Sequence, residues 1–175
     1  EVSTTAPASA LTTTSGSTAY TVGSFALQGL ATSTIAVAAS DTAQTLAATI
    51  NGTTATTGVT ASAKTEESAT FTAGGVYSLG VTSDNGTAAN VTFTVGAALN
   101  ASGLASAVSA FNDVSSKTGV TAKLNSTNNG LILTNASGNN ITLANNSASA
   151  SVTVGAINGA GTVQGTPVAV AAGDG

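Results

Sequence analysis

The sequence predicts an α+β chain, predominantly β, arranged as two tandem small lobes, each a β-sheet covered by one short helix. Three observations carry that expectation. The string Thr57-Gly58-Val59-Thr60-Ala61 returns as Thr118-Gly119-Val120-Thr121-Ala122, an offset of 61 residues. At the same offset Ala43, Leu46, Ala47 and Ile50 map onto Leu104, Ala107, Val108 and Phe111. Each set is apolar at i, i+3, i+4 and i+7, one face of a short helix. Asn51 and Asn112 follow the last apolar residue in both copies, so the repeated module is a helix leading into a strand.

The elements follow in order. Residues 1–18, rich in Thr, Ser and Ala, carry no sustained period and are expected as a loosely ordered lead-in. Over 19–30, Tyr20, Val22, Phe25 and Leu27 alternate loosely with Gly23 and Gly29 as breaks, which predicts a strand or a bent pair. Ile35 and Val37 share one face of a second strand over 34–38. Ser40-Asp41 supplies an N-cap, because a short acceptor side chain there satisfies free N–H groups of the first turn; the helix then runs to Asn51-Gly52. A strand is expected over 59–64. Lys64-Thr65-Glu66-Glu67, the most charged stretch, is expected as a solvated turn between the copies.

The second copy opens with Val76, Tyr77, Leu79 and Val81, turns at Asp84-Asn85-Gly86, and continues in strict alternation through Val91, Phe93 and Val95. Ser102, aligned with Asp41, is expected to cap a second helix reaching Val114. Strands follow over 120–124, 131–134 and 141–143, with turns at Asn128-Asn129-Gly130 and Asn139-Asn140. Two strand-like runs occupy 151–170, where Pro167 favours an edge position. The expected organisation is a Thr/Ser-rich lead-in at 1–18, a first α+β module at 19–66, a second at 67–145, and a β return segment at 146–175 that pairs with the N-terminal segment.

Composition narrows the function. The 175 residues include no Cys, His, Trp or Met; 6% are charged, 3% aromatic and 42% apolar. Such a chain builds thin cores from small side chains, so many hydrogen-bonded strands, not a few large anchors, are expected to hold it together. With a net charge of −4 and only Lys64, Lys117 and Lys123 as basic residues, there is no cluster to neutralise phosphates, which argues against nucleic acid. No apolar run approaches the roughly 20 residues that span a bilayer, and no membrane partner is expected. The start at Glu1, without Met or a signal-like segment, reads as an excised piece of a larger protein.

Catalytic chemistry has little to work with. Without His and Cys there is no Ser-His-Asp or Cys-His arrangement, no thiolate or histidine metal site, and no HExxH motif. A carboxylate pair would have to come from Glu66-Glu67, Asp84, Asp113 and Asp41; Asp41 is better explained as a cap and Glu66-Glu67 as a solvated turn. Calcium needs several closely spaced oxygens, and Asp84-Asn85 and Asn128-Asn129 lack a second acidic ligand nearby, so turn formation accounts for them. The glycines from Gly155 to Gly161 precede no helix or Lys and form a turn, not a phosphate loop. Asn51, Asn85, Asn90, Asn100, Asn125, Asn135, Asn140 and Asn145 each begin an Asn-x-Ser/Thr triplet, a pattern that chance produces often in so Asn-rich a chain. No catalytic, cofactor-binding or metal-ligating residue is nominated, no cofactor is expected, and the chain is read as not an enzyme.

The segments "SDTAQTLAATINGTTATTGVTASA" and "ASGLASAVSAFNDVSSKTGVTAKLNSTNNGLILTNASGNNITL" resemble the repeat of the variable outer region of bacterial flagellins and of related hook and filament-cap proteins. The carrying pattern is a helix ending in Ile-Asn or Phe-Asn followed within a dozen residues by "TGVTA". The resemblance covers 19–143. It implies a D2/D3-type, surface-exposed structural domain of a secreted flagellar filament subunit that serves motility. Its partners would be other flagellin subunits, engaged through helical core segments missing here, so the fragment alone is expected to be monomeric. Exposed Ser or Thr in 1–18 or on turns would carry O-linked sugars. If the domain is inserted in a helical stalk, Glu1 and Gly175 lie near one another. The corresponding region of a filament-cap or hook-associated protein is the alternative reading, and an adhesin or surface-layer binding module a further one.

Overall fold

Alternating side chains open the fold as an antiparallel hairpin. The computed structural model describes residues 20–173. Within them β1 (Gly23–Gln28) pairs with β2 (Thr32–Val37) from Gly23↔Val37 to Gln28↔Thr32. Helix α1 (Ala43–Asn51) and the single-turn α2 (Thr54–Thr57) lie across this hairpin. Leu27, Ile35, Leu46 and Ile50 form the small core, flanked by Tyr20, Phe25, Val37, Val59 and Ala61. The helix begins one residue later than Ser40-Asp41 implied. Thr42 is the N-cap, its Oγ1 accepting from Thr45 N at 3.1 Å while Thr42 N donates to Thr45 Oγ1 at 2.8 Å, a reciprocal capping box. Asp41 supports the cap from outside, accepting from Ala38 N at 2.7 Å and Thr45 Oγ1 at 3.1 Å.

The same succession then recurs. β4 (Val76–Thr82) pairs with β5 (Ala89–Thr94), and α3 (Ala105–Asp113) and the single-turn α4 (Ser115–Thr118) follow. Ser102 does not cap α3: its N-cap is Leu104, with no side-chain bond, and Asn100 orders the entry by accepting from Gly103 N at 2.8 Å. Beyond α4 come β6 (Val120–Leu124), β7 (Leu131–Asn135), β8 (Thr142–Asn145), β9 (Val152–Ala156) and β10 (Val168–Val170).

Strands outnumber helices, as an α+β, predominantly β chain requires. The second lobe, however, contains two sheets where one was expected. Between α2 and β4 lies β3 (Thr65–Thr70), and it is the middle strand of the order β10-β9-β3-β7-β6. The second sheet has the order β5-β4-β8. The stretch read as a solvated turn is therefore a central strand, and the boundary expected between 66 and 67 falls inside it. Glu66 takes the charge of Lys64 at 3.0 Å, and Glu67 is 2% exposed. The strand expected over 59–64 has no ladder partner and is not formed. The return segment supplies β9 and β10, while the lead-in at 1–18 and both chain ends lie outside the described residues.

Both sheets bury one face in a common core. Helix α3 contacts β5 and β6, the edge strands of the two sheets, and so closes one open side. On the other side Asn145 of β8 donates to Val170 O of β10 at 2.9 Å, stitching the remaining edges together. The core is less thin than composition suggested, because four aromatics meet in it. Phe71 lies edge-on to Tyr77 and Phe93 at 5.1 and 5.3 Å, and Phe93 reaches Phe111 at 5.9 Å. Tyr77 Oη accepts from Thr72 N at 2.7 Å and donates to Ser151 O at 2.9 Å, so its buried hydroxyl is satisfied.

Candidate functional site

The parts of the chain that the repeat keeps constant are held by side-chain hydrogen bonds, not by the ladders. Asn51, the last residue of α1, turns its carboxamide onto the chain ten residues later: Nδ2 donates to Ala61 O at 2.9 Å and Oδ1 accepts from Ala61 N at 2.8 Å. Asn112 does the same at Ala122, with distances of 3.0 and 2.8 Å. A carboxamide offers a donor and an acceptor side by side, as a backbone peptide does, so each Asn acts as a one-residue strand partner. Neither Ser nor Asp supplies both groups at that reach.

Between clamp and strand the chain reverses at Thr-Gly. Gly58 and Gly119 both have φ near +71°, a left-handed conformation that closes the single-turn helices. Their N–H groups donate to Thr54 O and Ser115 O. Thr57 Oγ1 donates to Thr53 O at 3.0 Å and accepts from Val59 N at 3.2 Å. Thr118 repeats this with Val114 O and Val120 N, both at 3.1 Å. The carbonyls of Thr57 and Thr118 then receive the hairpin turns of their own units, from Leu30 N at 2.8 Å and Asp84 N at 3.0 Å. Hairpin, helix and following segment are thus tied at one junction in each unit.

Residues 24–85 match the family model of the flagellin hook IN motif. The match begins in β1, takes in the Ile50-Asn51 pair that ends α1 and the Thr57-Gly58 junction, and runs to Asn85 in the β4–β5 turn. It supports a structural role related to flagellin and hook proteins; the flagellin family is structural, not enzymatic. No curated protein matches the chain. The second unit lies largely beyond the matched residues, yet its Asn112 clamp and Thr118-Gly119 junction repeat those of the hook IN motif bond for bond.

Asp84, weighed above as a carboxylate, is a structural acceptor. Its Oδ1 receives Asn135 Nδ2 at 2.7 Å and Asn139 Nδ2 at 2.8 Å, joining the β4–β5 turn to the β7–β8 loop. Asn85 spends its carboxamide on Ser83 N, Val81 O and Thr87 O, which is turn geometry. Asn128-Asn129 forms a turn in which Asn128 has φ +55°, with Asn125 and Thr127 as its partners. Asp113 is exposed at the end of α3. No group of three acidic side chains close enough to hold a metal occurs among the described residues. Gly155 stands within β9, and the turn lies further on, where Asn158 Oδ1 accepts from Ala160 N and Thr162 N at 3.0 and 2.9 Å. Asn135 and Asn145, two of the Asn-x-Ser/Thr positions, are fully buried.

An open groove of about 520 Å³ on β4 and β5, bounded by 146–149, is lined by Val76, Ser78, Thr92 and Thr94 among others, without a charged side chain. No helix of the described residues is long and apolar enough to cross a membrane. The most perturbed group is Glu67, whose Oε2 has no hydrogen-bond partner. Burial between β7 and β9 pushes its carboxyl up to about 8. Glu67 faces Leu133 and Ala156 in register, so it has no second carboxylate with which to form a catalytic pair.

The lobes also touch. Gln44 N, a first-turn donor of α1, bonds to Gly138 O of the β7–β8 loop at 3.1 Å, and Gly138 packs against Ala63. Sequence reasoning found the Asn positions but not the clamps. The signal was present, since each Asn stands ten residues before the Ala of its own "TGVTA".

Proposed function

We propose that this chain is a surface-exposed, extracellular region of a flagellar filament subunit, in which two hook IN-type units form a passive structural module. The observation that carries the reading is the coincidence of the matched residues 24–85 with a clamped unit that a second unit reproduces. The clamps and junctions spend their polar groups internally, which suits a part whose role is to present a stable outer surface. Association into a filament belongs to segments outside this chain, and the module alone is monomeric when dilute. Sugars, where present, are O-linked on exposed turns. Because the motif is shared with hook proteins, the corresponding region of a filament-cap or hook-associated protein is the second reading. Immunogold electron microscopy of source cells with antibody against this chain tests both. Label along whole filaments supports the first; label confined to the tip or hook junction supports the second. Label over the cell body with bare filaments overturns both in favour of a surface-layer or adhesive module.

A further inference from the structure

The two units differ at one place. In the second, Ala122 turns its N–H and C=O toward Asn112, while β7 pairs along the opposite side of β6 through Thr121↔Thr134 and Lys123↔Ile132. In the first, Asn51 holds Ala61 in the same way. The N–H and C=O of one residue point to a common side only where the backbone is extended, so the peptide groups of Thr60 and Ser62 point away from the clamp. They make no hydrogen bond among the described residues, and both residues are exposed. The first unit has the clamp but no counterpart of β7, because the chain passes directly into β3.

We propose that this free edge, 59–63, is a strand-addition site whose occupant is the same edge of a second copy of this chain. The inference does not rest on the flagellar reading. An antiparallel pairing about Ala61 sets Thr60 opposite Ser62 of the second copy and the reverse, making four backbone hydrogen bonds in a two-fold symmetric contact. Charge does not oppose it: 59–63 carries none, and Lys64, the residue type that usually blunts such an edge, is drawn onto Glu66 at 3.0 Å. The small hydroxyl side chains Thr60 and Ser62 add no bulk. So short a ladder is weak, so the copies pair where they are crowded and separate when dilute.

The test is an NMR concentration series on the whole chain, followed by amide shifts and hydrogen exchange. Amide shifts at Thr60 and Ser62 that grow with concentration, with slowed exchange there and unchanged Ala61, are expected. Thr60→Lys, which leaves the backbone intact, and Ser62→Pro, which removes one donor, should each abolish the concentration dependence while α1 amides keep their shifts. Association centred on β1, β2 or β10, or no association near millimolar concentration, overturns the proposal. So does full protection of Thr60 and Ser62 in dilute solution, which would place a segment of the same chain on the edge.

Discussion

The carboxamide of Asn112 spans both backbone polar groups of Ala122, at 3.0 Å to the carbonyl and 2.8 Å to the N–H, and thereby occupies the outer edge of β6. Asn112→Ala removes two hydrogen bonds and leaves a buried strand edge unpaired, so a loss of about 2 kcal/mol is expected in urea unfolding. Asn51→Ala acts at a more exposed clamp, where water replaces the lost partner, and should cost about 1 kcal/mol. Asn112→Asp keeps the shape but loses the donor and should fall nearer to Ala than to Asn.

The two junction glycines separate backbone strain from crowding. Both hold φ near +71°, so alanine costs about 1–2 kcal/mol at either. A Cβ at Gly58 meets only the tip of the exposed Leu30 side chain at 3.1 Å, whereas at Gly119 it overlaps the Asp84 carboxylate. Gly119→Ala should therefore destabilise more than Gly58→Ala in thermal melts, and Asp84→Ala in the same chain should narrow the difference.

Glu67 makes stability depend on pH. In the unfolded chain its carboxyl ionises near the ordinary 4.5, and in the folded chain near 8. The neutral carboxyl's contribution is full below the lower value, declines as pH rises across that window and levels off above it. The slope is on the order of 1 kcal/mol per pH unit for one such group. Urea unfolding at several pH values should show this decline in the parent and its loss in Glu67→Gln.

Gly138 governs how the lobes are coupled. Its φ of +82° and its packing on Ala63 leave no room for a Cβ. Gly138→Val is expected to break the bond to Gln44 N, so hydrogen exchange at Gln44 should rise while amides of β1 and β2 keep their protection.

The helices and most strands were legible because their apolar spacing is local: Leu46 and Ile50, or Ala107 and Phe111, declare a face without reference to anything distant. Caps were misplaced by a residue or two because Ser40, Asp41 and Thr42 all qualify as caps, and only Thr45 at the third helical position selects Thr42. β3 was hidden for a different reason. Its inward residues are Thr65, Glu67 and Ala69, so the alternation is there but not its apolar marking. Its partners are also remote, with Ser68 opposite Ile132 and Gly155. The reverse failure occurred over 59–64, where the residues suit a strand and the neighbour is missing. Of the junction, Thr57-Gly58 and Asn51 were visible as repetition; that the Asn reaches Ala61 is a tertiary fact.

The position of β3 also sets an order of assembly. It is the earliest strand of the five-stranded sheet to leave the ribosome, yet both its partners come from the last third of the chain. The first unit closes its hairpin between Gly23 and Val37 and gains its clamp by Ala61, so it is complete while β3 still waits in water. During that wait Glu67 is an ordinary anion. At neutral pH, closing the larger lobe draws a proton from solvent, and its last step is a chemical uptake as well as a folding event.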